Sequence, residues 1–463
     1  MTAKELSNQM LKFSSSYFLS DLRKDKNHYY ALTEEDLSEH PLCLCGRILN
    51  LMMDGNLQEA ENIIESLPDD SIFKAGLSIV NPRIDYKGFI RKVTFLLKEK
   101  NTTVGNTTLT AGRPYLLNGF NDFSRLGPLL VKKPELFKEY IQFLYGSECT
   151  DQIYNLSLAE YYYQTNRLID SEMLVSKTIK SFDTFHEERF LFAAMYLEAR
   201  IAQVNGTISK SSSYIGVIKK SVSSVGIAEF SFNIDAAETL FFIYSGNYEA
   251  VYKWLKSNAP DEIEDFNMLD LYRYMVKIRC YIIQEEHSAA ISLIEKLRPL
   301  LEEGHRHMDL CELDLLLSET LWVCGKNDLA LKSFGRAMKI ARRRNYIRLV
   351  ADEGLAVFEI LIEYSKTAAD SDFLKEVIKA TRKMAIHYPL YLKPRYKNSK
   401  SFSQQETDFL ILLQQGKSYD DIAKYFLISV NTVRYHIKKI YKKLDSQNAN
   451  QAVWNAKLLG LIE

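Results

Sequence analysis

Ser429-Val430-Asn431-Thr432-Val433-Arg434-Tyr435-His436-Ile437-Lys438-Lys439-Ile440-Tyr441-Lys442-Lys443-Leu444 decides how the carboxyl end of this chain folds. Val430, Val433, Ile437, Ile440 and Leu444 recur at spacings of three and four, which sets them on one stripe of a helix. The opposite face carries Asn431, Arg434, Tyr435, Lys438, Lys439, Lys442 and Lys443. Ser429 stands where its hydroxyl caps the free amides of the first turn. Such a helix buries its stripe and holds out a row of long cations.

The residues around it supply what the stripe packs against. Ser403 with Glu406, Ser418 with Asp421 and Asn448 with Gln451 each repeat a capping-box spacing, so three more helices start there. The helix from Ser418 to Phe426 precedes the basic one across only Leu427-Ile428-Ser429. A turn this short forces a steep crossing, the geometry that lowers a second helix into a major groove.

Phe402-Ser403, Glu406, Gly416, Ile422-Ala423, Leu427-Ile428-Ser429, Thr432-Val433, His436, Ile440-Tyr441, Lys443-Leu444 and Gln451-Ala452 resemble the successive signature positions of the LuxR/NarL-type helix-turn-helix family. The resemblance implies a DNA-binding domain over residues 401–463. It places Arg434, Tyr435 and Lys438 toward base edges, and Asn431, Thr432, Lys439 and Lys442 toward phosphates. Arg forks onto guanine O6 and N7, whereas phosphate contacts fix register without reading sequence. The family also implies a homodimer over paired half-sites, joined through the closing helix, here Asn448 to Leu459. Two positions depart from the pattern: Asp445 replaces the usual Gly, and Ala449 a common basic residue. His436 is expected at the edge of the helix pair rather than as a ligand.

The whole chain has 463 residues and no net charge, with 59 Lys and Arg against 59 Asp and Glu. The charge is uneven. Residues 395–463 hold 11 basic and 6 acidic side chains, leaving 48 against 53 in the rest. A basic end on an acidic body is the footprint expected for nucleic acid. Cys43, Cys45, Cys149, Cys280, Cys311 and Cys324 form no metal-binding spacing. No apolar run approaches the roughly eighteen residues of a membrane span, and no signal peptide is seen, so a cytoplasmic protein is expected.

Residues 1–75 read as helical hairpins, with Asp54-Gly55-Asn56 as one turn. Residues 76–134 read as a Gly/Asn/Pro-rich connecting segment. Arg113 and Asp122 within it either line a ligand site or belong to an insertion that fixes two helices, the second being favoured. From 135 to 388 turns recur at Thr165-Asn166, Asn205-Gly206, Ser245-Gly246-Asn247, Gln284-Glu285-Glu286 and Cys324-Gly325-Lys326, a period of about forty residues. Stacked hairpins of that period form a superhelical solenoid with a concave face. Residues 389–400 read as a basic linker that lets the last domain move.

The repeats resemble tetratricopeptide-like hairpins, though longer than the usual period of about thirty-four residues. The order of solenoid and helix-turn-helix resembles the carboxyl-terminal part of MalT-like regulators, as do His40-Pro41-Leu42, Glu59-Ala60-Glu61 and the stretch from Ala111-Gly112-Arg113-Pro114 to Asn118-Gly119-Phe120. It implies a regulator lacking the nucleotide-binding domain, either a short natural form or a fragment.

No chemistry competes. Gly416-Lys417-Ser418 lacks the earlier Gly of a phosphate-binding loop, with Ile411 in its place. No catalytic residues, cofactor or metal site are expected. The reading is all-α: a tetratricopeptide-like solenoid followed by a four-helix LuxR-type domain. The expected function is sequence-specific transcription regulation, with operator DNA as partner and a small-molecule or protein effector at the repeats. RNA polymerase stands among the expected partners. A protein-interaction scaffold with residual DNA binding is the alternative. An enzyme with a site in residues 101–130 is a third reading.

Overall fold

The computed structural model describes residues 1–13, 19–99, 112–181, 188–225, 228–261, 266–385, 403–444, 446–458 and 461–462. Asn101 to Thr108, the linker 389–400 and Asp445 lie outside the described residues. The fold is all-α, as the periodicities require.

The amino-terminal arm comprises α1 (Ala3–Met10), α2 (Leu19–Lys24), α3 (Lys26–Tyr30), α4 (Glu34–Glu39), α5 (Pro41–Met53) and α6 (Leu57–Ser66). Around the Gly/Asn-rich stretch lie α7 (Ile72–Val80), α8 (Tyr86–Glu99), α9 (Gly127–Lys132) and α10 (Pro134–Tyr145). The hairpins follow: α11 (Thr150–Gln164) with α12 (Leu168–Lys180), and α13 (Glu188–Val204) with α14 (Ile208–Val225). Next come α15 (Ala228–Ser245) with α16 (Tyr248–Ser257), α17 (Leu271–Ile283) with α18 (His287–Glu303), and α19 (His307–Val323) with α20 (Asn327–Arg344). The repeats end on α21 (Ile347–Ala351), α22 (Leu355–Ser365) and α23 (Asp372–Ala385). The last unit holds α24 (Gln404–Gln414), α25 (Tyr419–Phe426), α26 (Val430–Lys443) and α27 (Ala449–Leu458).

One turn is used over and over. Asn166, Gly206, Gly246, Glu285 and Gly325 take φ values of 64°, 78°, 73°, 63° and 74°. The next residue then donates to the carbonyl five positions back: Arg167 to Tyr162, Thr207 to Ala202, Asn247 to Phe242, Glu286 to Tyr281 and Lys326 to Leu321, each at 2.8–2.9 Å. This left-handed cap is what Gly adopts freely and Asn tolerates, which is why the turns were legible. Small residues hold the two helices of a hairpin close. Ser171 Oγ donates to Ala159 O, and Ser211 Oγ to Ala199 O, at 2.7 Å.

The concave face is not an open groove. Residues 112–126 pass through the middle of the superhelix, and the α21–α22 turn occupies it beside them. Leu116 and Leu117 amides donate to Glu160 at 2.7 and 2.8 Å, and Arg113 pairs with Asp309 at 2.5 Å and Glu312 at 2.6 Å. Arg306, fully buried, donates to the carbonyls of Phe120 and Gly119 and to Asn118 Oδ1. At the other level Asp352 accepts from Tyr163 of α11 (2.6 Å) and Arg200 of α13 (2.7 Å), and its carbonyl from Tyr244 of α15 (3.2 Å). Arg279 of α17 clamps Glu353 at 2.5 and 2.6 Å. Inner helices from four hairpins thus meet on two adjacent acids.

The Gly/Asn/Pro-rich connecting segment read at 76–134 is not irregular throughout. α8 and α9 lie inside it, because Phe89, Ile90, Val93 and Leu96 make an apolar stripe that packs beside Tyr140. Arg113 is buried in ion pairs with Asp309 and Glu312, and Asp122 is buried with its oxygens accepting from the Ser124 and Met308 amides. The amino-terminal arm closes on the repeats through one core that runs from Leu6 and Leu49 to Leu297 and Leu313. Among the described residues no helix is long and apolar enough to cross a membrane.

Buried charge makes this interior pH-sensitive. Glu319 of α19 is 2% exposed, its Oε1 meets no hydrogen-bond donor among the described residues, and burial together with Glu353 pushes its carboxyl up to about 8. The folded chain therefore keeps this proton from the ordinary carboxylate range up to about pH 8, where the unfolded chain has released it. Stability falls as pH rises through that window. Glu319→Gln should remove this part of the slope. At pH 8 it should stabilise by on the order of 2–4 kcal/mol relative to its effect at pH 5, measured as melting midpoints at both values.

Candidate nucleic-acid interface

The last unit is built from its caps. Ser403, Ser418 and Ser429 hydroxyls accept from the amides of Glu406, Asp421 and Thr432, each three residues on. The first two are full capping boxes. Asn448 Oδ1 likewise accepts from Gln451 N at 2.9 Å, but Gln451 Oε1 reaches back to Gln447 N rather than to Asn448. Phe409, Leu410, Ile422, Val433, Ile437, Ile440, Leu444, Ala452 and Ala456 form the core beneath α26. The turn ahead of α26 is made by Leu427 at φ 54°, with its side chain 92% exposed. A left-handed leucine presented to solvent is costly, and this one fixes the crossing of α25 and α26.

Around the exposed face of α26, Asn431, Arg434, Tyr435, Lys438, Lys439 and Lys442 all point to solvent. Tyr435 is 67% exposed, a large aromatic left open at the start of the helix. Arg434 Nη1 lies 3.5 Å from Asn431 Oδ1, so the two side chains are neighbours on one surface. Thr432 is half-buried, with its hydroxyl 2.8 Å from Ser429 Oγ in the cap. Its role is chiefly to close the first turn. Lys439 has 54% side-chain exposure but lies 3.7 Å from Glu406 Oε1, which offsets part of its charge.

Glu406 does a second job that its capping-box spacing did not reveal. It is 3% exposed and takes Lys443 Nζ at 2.5 Å, tying the first helix of the unit to the end of α26. Burial pushes the Glu406 carboxyl up, but the Lys443 ammonium and the Ser403 amide bring it below the usual carboxylate range. Lys443, read in the sequence as part of the solvent face, is therefore a structural cation. It buries because Glu406 meets it there. The His436 ring stacks on Phe409 at 5.2 Å, at the edge of the helix pair as expected.

Trp454 was not singled out by the sequence. It leaves α27 and meets Phe358 of α22 edge-on at 5.4 Å, while the Arg382 guanidinium of α23 lies 5.3 Å over its ring. Leu355 and Ile362 complete a small apolar seat between the repeats and the last unit. One face of the helix expected to make a two-fold contact is thus occupied by the chain's own repeats. Among the described residues no group of His, Cys, Asp and Glu is placed to hold a metal ion.

Two comparisons with known families fit this geometry. Residues 147–367 match the family model described as the MalT-like TPR region. Residues 400–456 match that of bacterial regulatory proteins of the luxR family. The chain thus carries a stretch similar to the MalT-like TPR region ahead of one similar to the luxR family of bacterial regulatory proteins.

Proposed function

We propose that this chain is a sequence-specific transcription regulator whose repeat region sets the activity of the last unit in response to an effector. The observation that carries the reading is α26. Its apolar stripe is buried, while Arg434, Tyr435, Lys438 and Lys442 stand clear on the opposite side. Arg434, Tyr435 and Lys438 address base edges, with Arg434 forking onto a guanine. Asn431, Lys439 and Lys442 address phosphates, and Thr432 stays near a phosphate through its place in the cap. Two copies joined through α27 would read paired half-sites.

The regulatory part follows from coupling. Asp352 and Glu353 gather inner helices of four hairpins, and α22, carrying Phe358 of the Trp454 seat, begins directly after them. An effector that favours one arrangement of the repeats then favours one state of the seat, which is a population shift. In the docked state Trp454 faces the repeats. In the released state α27 is free for a second copy. The protein acts in the cytoplasm, with RNA polymerase as its downstream partner.

Selection of genomic fragments by the purified chain tests the reading. The expected result is a short motif repeated as a palindrome. Recovery of fragments with no shared motif would overturn it. One observation favours the scaffold reading instead: Ile169 and Met173, four apart on α12, are 84% and 65% exposed. A stable protein partner lost on Ile169→Asp, together with motif-free DNA recovery, would establish that reading.

A further inference from the structure

Helix α20 carries more positive charge than its own fold uses. It holds six Lys and Arg against one Asp. Among the described helices α26, with five and none, is the one with an equal excess. Of the 48 basic and 53 acidic side chains before residue 395, α20 holds six and one, so the rest of that body has 42 against 52. Capping does not account for the surplus. Asn345 takes φ 57°, with Tyr346 N donating to Ala341 O at 2.9 Å and Asn345 N to Arg342 O at 3.2 Å. This left-handed cap satisfies the free carbonyls at the helix end without the arginines. The helix dipole favours a cation in the last turn, but not at Lys332, Arg336 or Lys339.

The surplus forms a ridge. Lys332, Arg336, Lys339 and Arg343 recur at spacings of four, three and four, and all are exposed. They therefore share one face, about 16 Å long, opposite the buried stripe of Phe334, Ala337, Met338 and Ala341. Arg336 reaches Asp314 at 2.6 Å. Lys332, Lys339 and Arg343 make no ion pair among the described residues. Helix α23 is different: Lys375 meets Asp370 at 2.8 Å, Lys379 meets Glu376 at 3.8 Å, and Arg382 lies over Trp454.

The ridge helix stands close to the last unit. Its buried stripe shares one core with Val357, Ile360 and Leu361 of α22, and the Phe334 ring meets Tyr364 edge-on at 5.4 Å. The same α22 carries Phe358, against which Trp454 of α27 sits. Packed helices lie about 8–10 Å apart, so the axes of α20 and α27 are within about 20 Å. That is less than one duplex turn of about 34 Å.

We propose that the α20 ridge is a second DNA surface, holding phosphates that flank the site addressed by α26. A run of about 16 Å spans roughly five phosphates of one strand. Such contacts add affinity without adding sequence preference. They also offset the repulsion that a duplex meets from the acidic remainder of the repeats. In the docked arrangement one copy then grips a half-site and its flank together.

This inference rests on α26 binding DNA, and duplex length separates the two surfaces. Anisotropy titrations of the full chain across a salt series compare the selected motif alone, about 20 base pairs, with the motif inside about 60 base pairs. Three proteins are used: the natural chain, a ridge variant (Lys332→Gln, Lys339→Gln, Arg343→Gln) and a charge control (Lys177→Gln, Lys180→Gln, Lys253→Gln). The control removes three exposed cations from other helices of the repeats. The natural chain and the control should show a salt slope steeper by about 2–3 on the long duplex than on the short one. The ridge variant should show the same slope on both, and bind the long duplex about 10-fold or more weakly than the natural chain. Melting should be alike for all three, since the changed side chains are exposed. A ridge variant that behaves as the natural chain, or a control that loses as much as the ridge variant, overturns the proposal. So does an equal loss on both duplexes. A selected motif with an inert ridge removes the ridge and keeps the regulator. With no selected motif, the same comparison on random duplexes still tests the ridge: length-dependent loss in its variant alone keeps the ridge and removes the regulator.

Discussion

Arg306→Met is expected to lower the melting midpoint of the full chain by about 10 °C or to prevent its folding, with a cost of about 3–5 kcal/mol. Arg306 is 0% exposed and uses its guanidinium on four acceptors: Asp309 Oδ2, the Phe120 and Gly119 carbonyls, and Asn118 Oδ1. Met keeps much of the side-chain volume, so the loss is polar rather than a cavity. It leaves two buried carbonyls and an amide oxygen without a donor, and Asp309 with Arg113 as its remaining cation. That is a large share of the 5–15 kcal/mol typical of a folded domain. Lys375→Met is the contrast. Its pair with Asp370 has side-chain exposures of 61% and 73%, so the change should leave the melting midpoint essentially where it was. Equal effects of the two changes would mean that the insertion does not hold the repeats together.

The second large effect concerns recognition. Arg434→Ala with Lys438→Ala should remove about 2–5 kcal/mol of preference for the selected motif over random duplex, roughly 30-fold to several thousand-fold. Both side chains are exposed on a helix whose buried stripe they do not touch, so the melting midpoint should barely change. Lys442→Ala should behave differently. It should weaken binding to all sequences alike and lower the salt slope by about 1, as loss of a phosphate contact does. Lys439→Ala should have the smaller effect of the two lysines, because Glu406 already draws on its charge. Anisotropy titrations on motif and random duplexes across a salt series separate these outcomes.

What was legible in the sequence had local causes. The helix starts at Ser403, Ser418 and Ser429 follow from side chains three residues away from the amides they satisfy. The hairpin turns follow from the left-handed cap, which calls for Gly or Asn at 166, 206, 246 and 325. Glu285 takes the same conformation without that signature, and only the period points to it. The charged face of α26 was legible because its stripe is unmixed.

What escaped depends on partners far along the chain. Arg113 and Arg306 meet residues about two hundred positions away, so nothing near them in sequence announces a buried pair. The inner helices α11 and α19 carry Glu160, Asp309, Glu312 and Glu319 into the interior. Such charges look like a solvated face until their counterparts are known. The concave face read from the repeats therefore carried no sign of what fills its centre. Lys443 was misplaced for a similar reason, since Glu406 lies 37 residues before it. Trp454 had no local pattern at all, because its partners Phe358 and Arg382 belong to another unit.

The central claim is that α26 reads bases from the major groove, and methylation interference on a selected duplex tests it most directly. Guanines methylated at N7 are mixed into the duplex, and bound and free fractions are compared for the natural chain and for Arg434→Ala. The expected result is strong interference at guanines in two clusters about one helical turn apart, lost at specific positions in Arg434→Ala. Binding that tolerates N7 methylation everywhere, and responds only to phosphate ethylation, would contradict the claim and leave α26 as a phosphate-holding helix.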